Sequence, residues 1–172
     1  MPNSIDTKRL TLIPAGPELL HLELTGAAAV GAALHVAVPK DWPPGEYDRN
    51  ALEFFLAQHA AGGANAEGWY AWYAVDRASQ TLVAAGGYFG PPDAQGKVEI
   101  GFSVSSAWRR KGIATDLVSA LTENARARGA WRIIAHTAKE NSGALGALAA
   151  NGFHPCAPER EGLLGFEHTS AA

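Results

Sequence analysis

Apolar and polar positions alternate along this chain in two rhythms, a period of two and a period near 3.6, and each change of rhythm marks an element. Residues 9–14, Arg-Leu-Thr-Leu-Ile-Pro, alternate until proline stops them, which predicts a first strand. Residues 17–38 are rich in alanine and leucine and predict helix, broken near Gly26 and Gly31. Residues 42–48 hold two prolines and a glycine and predict a loop. Leu52, Phe55, Leu56 and His59 then fall at helical spacing within residues 50–61, and Gly62-Gly63 ends that run. Residues 69–75 and 81–88 are β-prone and predict two strands joined by a turn at 76–80. After a strong turn at 90–96, residues 97–104 alternate: Val98, Ile100, Phe102 and Val104 share one face, and Glu99, Gly101 and Ser103 the other.

Residues 112–128 predict the long central helix. Ile113, Leu117, Ala120, Leu121 and Ala125 form its apolar stripe, and Gly129 stands at its end. A strand at 131–137, a helix at 142–150, a strand opening at Gly152-Phe153 and a last strand around 163–166 complete the reading. Several neighbouring strands precede the long helix and β-α-β-α-β follows it. The expected class is therefore α/β, in the α+β sense, with a mixed, mostly antiparallel twisted sheet flanked by helices. No linker, repeat or low-complexity tract divides the chain, so one domain over residues 1–172 is expected.

Composition narrows the function. With 47% hydrophobic and 18% charged residues in 172, the chain can bury a core. A net charge of −3 argues against a broad basic surface for nucleic acid and permits an amine substrate. The single cysteine, Cys156, excludes an internal disulfide and is read as a packing residue. No targeting segment is evident, and the apolar stretch at 27–38 is too short to span a bilayer, so a soluble cytoplasmic protein without membrane contact is expected. The six histidines lack ligand spacing, and no metal is expected.

The informative segment is Trp108-Arg-Arg-Lys-Gly-Ile-Ala-Thr115, between a predicted strand and a predicted helix. Main-chain N–H groups at a helix start, aided by the helix dipole, attract anions. Gly112 and Ala114 let a phosphate come close to the backbone, and Arg109, Arg110 and Lys111 add positive charge. A diphosphate suits such a turn. It is neither a Walker loop nor a Gly-x-Gly-x-x-Gly loop.

Arg109-x-x-Gly112-x-Ala114 does resemble the pyrophosphate loop of the GNAT superfamily of N-acetyltransferases. A second stretch, Asn141 through Ala144 and Leu145 to Gly152-Phe153, resembles that superfamily's second signature. Thr7-Lys-Arg-Leu-Thr-Leu-Ile-Pro14 and Val98-Glu-Ile-Gly-Phe102 resemble its RimJ/RimL-like branch, which includes ribosomal-protein N-terminal acetyltransferases. Residues 24–68, which help shape the acceptor site in that family, carry no readable signature.

The resemblance implies an acetyl-CoA-dependent N-acetyltransferase acting on a protein N-terminus or a small-molecule amine by direct attack. It implies a splay between the strands over 97–104 and 131–137, through which the pantetheine arm threads beside Phe102, Ser103 and Val104. The N–H groups of Arg110, Lys111, Gly112, Ile113, Ala114 and Thr115 would hold the pyrophosphate, with Arg109 beside them, and Asn141 would reach the coenzyme arm. An amide N–H near Phe102–Val104 would stabilise the oxyanion. Glu99 is the candidate base, directly or through a water, with a solvated strand carboxylate as the alternative.

The usual tyrosine acid of the second signature is replaced by Leu148. Ser142, a water, or unaided departure of the thiolate remain as acid options. That missing tyrosine also leaves a non-catalytic acyl-CoA-binding module as the alternative function. His136 is read first as a hydrogen-bonded strand histidine, with substrate contact second. Trp42, Tyr47, Trp69, Tyr70, Trp72 and Tyr73 are candidates for an amine pocket, more of them for the core, with Trp42 the foremost pocket candidate. The oligomeric state, monomer or homodimer, is not readable from the chain.

Overall fold

A computed structural model describes residues 3–169. Eight strands form one sheet in the order β1-β2-β3-β4-β5-β6-β8-β7. The first is a short strand, β1 (Ile5–Asp6), that the alternation did not predict; it pairs with β2 (Leu10–Pro14). The sheet continues with β3 (Ala71–Asp76), β4 (Thr81–Tyr88), β5 (Lys97–Val104) and β6 (Arg132–Thr137), and closes with β7 (His154–Cys156) and β8 (Leu164–Thr169). Every pairing is antiparallel except β5 with β6, which is parallel.

Helices α1 (Pro17–Thr25) and α2 (Ala27–Leu34) meet at Gly26, whose φ of 149° reverses the chain where a side chain would be strained. Gly31 does not break the helix as expected; it lies buried inside α2. Helix α3 (Arg49–Gly62) starts on Asp48, whose carboxylate accepts the Ala51 N–H at 3.0 Å. Helix α4 (Ile113–Ala127) buries Ile113, Leu117, Ala120, Leu121 and Ala125 as its stripe predicts, and α5 (Ser142–Ala150) packs beside it.

The two faces of the sheet have different tasks. Gly86 on β4 lies so close to α4 that a Cβ there would meet the Leu117 side chain at 3.1 Å. Gly86 is registered with Phe102, so the Val98–Ile100–Phe102–Val104 face of β5 is the one covered by α4. The opposite face carries Tyr73, whose hydroxyl donates to Glu23 of α1 at 2.6 Å, and the Glu99–Gly101–Ser103 row. Trp42, the foremost pocket candidate in the sequence, packs in the core. It is buried against Tyr73, with ring centroids 6.3 Å apart, because its loop folds over the sheet and the large ring gains more from burial than from exposure. Trp69, Tyr70, Trp72 and Tyr73 are also buried.

Candidate active site

The parallel pairing of β5 with β6 runs from Lys97–Arg132 to Ile100–Ala135 and stops there, while β5 stays paired with β4 as far as Val104. The two strands therefore part after Ile100, as the reading expected. Parted parallel strands leave main-chain groups on one edge of residues 101–104 open to a ligand that binds as a further strand.

A cleft of about 580 Å³ opens beside the parting. Its wall contains Phe102, Ser103 and Val104 from β5, Arg109, Arg110, Gly112, Ile113, Ala114 and Thr115 from the turn into α4, and Asn141 and Ser142 at the start of α5. Two helix N-termini thus face one cavity. Gly112 caps α4 at φ 80° and Arg110 sits at φ 60°, so alternate residues of the turn are left-handed. Left-handed residues in such a turn aim successive N–H groups to one side, which makes an anion-binding concavity. A side chain on Gly112 would be strained at that φ. The first N–H groups of α4 have no acceptor within the helix.

Side chains of the turn have separate duties. Arg109 Nε donates to the Val104 carbonyl at 3.2 Å and ties the turn to the end of β5. Lys111 lies outside the cleft wall, with its ammonium 5.1 Å from the Trp108 ring centroid. Asn141 Oδ1 accepts the Ala144 N–H at 3.1 Å and caps α5, so the amide nitrogen is the end left to face a ligand. Ser142 is exposed on the wall. Leu148, where the usual tyrosine would stand, is fully buried.

Glu99 lies outside this cleft, on the other face of β5. It is paired with Ile134, one register step before the strands part, and His136 is the next residue of β6 on the same face. His136 Nε2 accepts the Glu159 N–H at 2.9 Å. A main-chain N–H can only donate, so the ring proton sits on Nδ1, which lies 3.1 Å from Glu99 Oε2. Both imidazole nitrogens are used, and the hydrogen-bonded reading of His136 holds. Arg160 meets the same carboxylate from the loop after β7, with Nε 3.0 Å from Oε2 and Nη2 3.0 Å from Oε1.

A family model described as an acetyltransferase (GNAT) domain matches residues 9–154. The chain belongs to the GNAT acetyltransferase family. Members use acetyl-CoA as cosubstrate, and this chain is an N-acetyltransferase by family. It is 28% identical over 114 residues to the "Uncharacterized N-acetyltransferase YjdG" of Bacillus subtilis strain 168, covering 66% of this chain and 67% of that one. Its fold is similar to the ribosomal-protein-S5-alanine acetyltransferase of Vibrio fischeri, with TM-score 0.64, 15% identity and 98% and 97% of the two chains covered. An acetyltransferase of Agrobacterium tumefaciens gives TM-score 0.65, 15% identity and coverage of 99% and 96%.

Among the described residues, no group of three His, Cys, Asp or Glu is placed to hold a metal ion, and no helix is long and apolar enough to cross a membrane.

Two contributors to this GNAT site escaped the sequence reading. Arg9, at the foot of β2, donates from Nη1 to the Lys111 carbonyl, and the same nitrogen is 3.5 Å from where a Cβ on Gly112 would be. It holds a carbonyl of the turn on the far side from the cleft. Arg160 is the second. Its hydrogen bonds to Glu99 hold the guanidinium above its ordinary basicity. Neither had a local signal, since each acts across more than sixty residues of chain.

Proposed function

We propose that this enzyme moves the acetyl group of acetyl-CoA to a primary amine by direct attack, with Glu99 as the base. What supports the reading most is the alignment of the two half-sites. A cleft with two helix N-termini leads to the point where β5 and β6 part, and a carboxylate stands one register step from that point on the opposite face.

In the proposed reaction the pyrophosphate rests on the N–H groups of residues 110–115, and the arm runs along Phe102, Ser103 and Val104. Asn141 reaches the arm through its amide nitrogen. The amine enters from the Glu99 face as an ammonium and gives a proton to Glu99, directly or through a water. Its lone pair then attacks the thioester carbon, and the oxyanion is held by a main-chain N–H of the parted edge. The nitrogen gives its second proton to water, and collapse breaks the C–S bond, leaving the neutral amide and coenzyme A thiolate. With Leu148 buried and apolar, a water or Ser142 protonates the sulfur, or it leaves unaided, since an ordinary thiol has a pKa near about 8.5. No covalent enzyme intermediate is involved. The acceptor is a small-molecule amine or a peptide N-terminus, and the setting is the cytoplasm.

The test is release of free thiol from acetyl-CoA across a panel of small amines and N-terminal peptides. The reading expects release that depends on both the amine and the protein. No release with any acceptor, while acetyl-CoA still binds, would leave a coenzyme-binding module instead.

A further inference from the structure

Glu99 as base raises a difficulty that the surrounding residues resolve. Both carboxylate oxygens are taken by Arg160, and one also by His136. A carboxylate that already meets a guanidinium on both oxygens and an imidazole on one leaves little room for a direct ammonium contact, and a full one requires the guanidinium to move.

Arg160 is well placed to move. The loop that carries it is anchored without it, by the Glu159 N–H on His136 and by Lys97 Nζ on the Glu159 carboxylate at 2.9 Å. The Arg160 side chain is 48% exposed, and its guanidinium lies 5.0 Å from the ring centroid of Phe89, itself 46% exposed. The arginine end of this ion pair is open to water, while the Glu99 side chain is 15% exposed, so the guanidinium is the partner free to swing away. The neighbouring charges also favour an incoming cation, because Glu46 and Glu159 face Arg160 along with Glu99.

Resting on the reading of Glu99 as base, we propose that the acceptor is an amine carrying its own carboxylate, of the α-amino-acid type, and that Arg160 selects it. Such a molecule exchanges one ion pair for two. Its carboxylate takes the guanidinium, and its ammonium takes the place that the guanidinium leaves on Glu99. A monoamine offers the second contact only and must compete with Arg160 for Glu99. A peptide N-terminus, whose nearest carbonyl is an amide, is in the same position as a monoamine. Phe89, beside Arg160, gives the acceptor an apolar surface to rest against. Residue roles follow: Arg160 binds the acceptor, and His136 is a positioning residue that fixes the Glu99 carboxylate.

The experiment measures binding of matched pairs to the enzyme loaded with coenzyme A. The probes are L-leucine against isoamylamine and L-phenylalanine against phenethylamine, with L-leucinamide, whose carboxyl is capped as an amide, as the control without a carboxylate. The Arg160 Nε–H resonance serves as a second readout. In wild type the amino acids should bind about tenfold or more tightly than the matched amines, the size of a charge-assisted contact, and should shift the Arg160 resonance. Arg160→Gln should abolish that preference and improve binding of the monoamines, since Glu99 is freed.

Equal binding in wild type, a preference that survives Arg160→Gln, or no amino-acid binding at millimolar concentration would each overturn the proposal. Failure of the base reading looks different: Glu99→Gln would then keep wild-type thiol release, whatever the probes show at Arg160.

Discussion

The two sides of the parted strands are made of different materials. The proposed coenzyme side is built from main chain, one strand end and two helix starts, and its proposed donors are N–H groups. The proposed acceptor side is a group of side chains, Glu99, His136, Phe89 and Arg160, brought together from four separate segments. Backbone donors survive most side-chain changes and fail when the local φ and ψ change. A side-chain cluster fails at single residues while the fold and the coenzyme cleft persist. The two sides should therefore be separable by mutation.

The largest expected separation comes from Glu99→Gln. It keeps the size of the side chain and one acceptor oxygen for Arg160 but removes the base. Turnover should fall on the order of 10²–10⁴-fold while acetyl-CoA affinity holds. The deficit should shrink at high pH, where more of the amine is already neutral; steady-state rates across pH measure this. Wild-type turnover at neutral pH would demote Glu99 to a structural carboxylate.

Arg9→Ala should break the other side more mildly. Losing the donor on the Lys111 carbonyl relaxes the turn, and acetyl-CoA should bind about tenfold more weakly with turnover at saturation unchanged. Calorimetric titration reads this, and partial recovery in Arg9→Lys would separate charge from shape. An unchanged affinity would remove Arg9 from the support of the turn.

Glu23 tests the packing of α1 on the sheet. Burial pushes its carboxyl above the usual carboxylate range, against the hydrogen bond from Tyr73. A raised pKa in the folded state means that the fold holds this proton more tightly than the unfolded chain does. Its contribution is thus most favourable below the unfolded value of 4.5 and declines as pH rises through the folded value. Glu23→Gln removes that decline. Relative to wild type it should gain stability between acid and neutral pH, seen as a Tm difference that grows with pH.

The smallest effects are expected at the second signature. Leu148→Met keeps volume and an apolar surface, so activity should stay within about twofold. Ser142→Ala should also cost little if the thiolate leaves unaided or through water. A large fall in turnover for Ser142→Ala, at constant coenzyme affinity, would make Ser142 the acid.

The same contrast explains what the sequence reveals. The long helix, the alternating strand at 97–104 and the turn between them are local patterns, and each stands within a residue or two of its expected bounds. Glycine at a left-handed position and small residues near a ligand leave a mark in a short window, which is why Gly112 and Ala114 could be read. Arg160 leaves none. An exposed arginine in a loop resembles any other until β6 and β8 pair and set its loop against Glu99. Trp42 misled for the same reason: a tryptophan in a Pro-Pro loop looks available, and only the packing on Tyr73 shows that it is buried. Strand β1, two residues long, is too short to carry a period at all.

The most direct test of this division of labour is acetyl-CoA titration of Gly112→Asp beside Glu99→Gln. At φ 80° an aspartate is strained, and its side chain would project toward Arg9, within 3.5 Å of Nη1, and disturb the contact that holds the Lys111 carbonyl and the shape of the turn. The account predicts that Gly112→Asp weakens acetyl-CoA binding by roughly ten- to hundredfold with the apo fold retained, a penalty of about 1.4–2.7 kcal/mol, while Glu99→Gln binds as wild type does. An unchanged dissociation constant for Gly112→Asp, or a large loss of coenzyme affinity in Glu99→Gln, would contradict it.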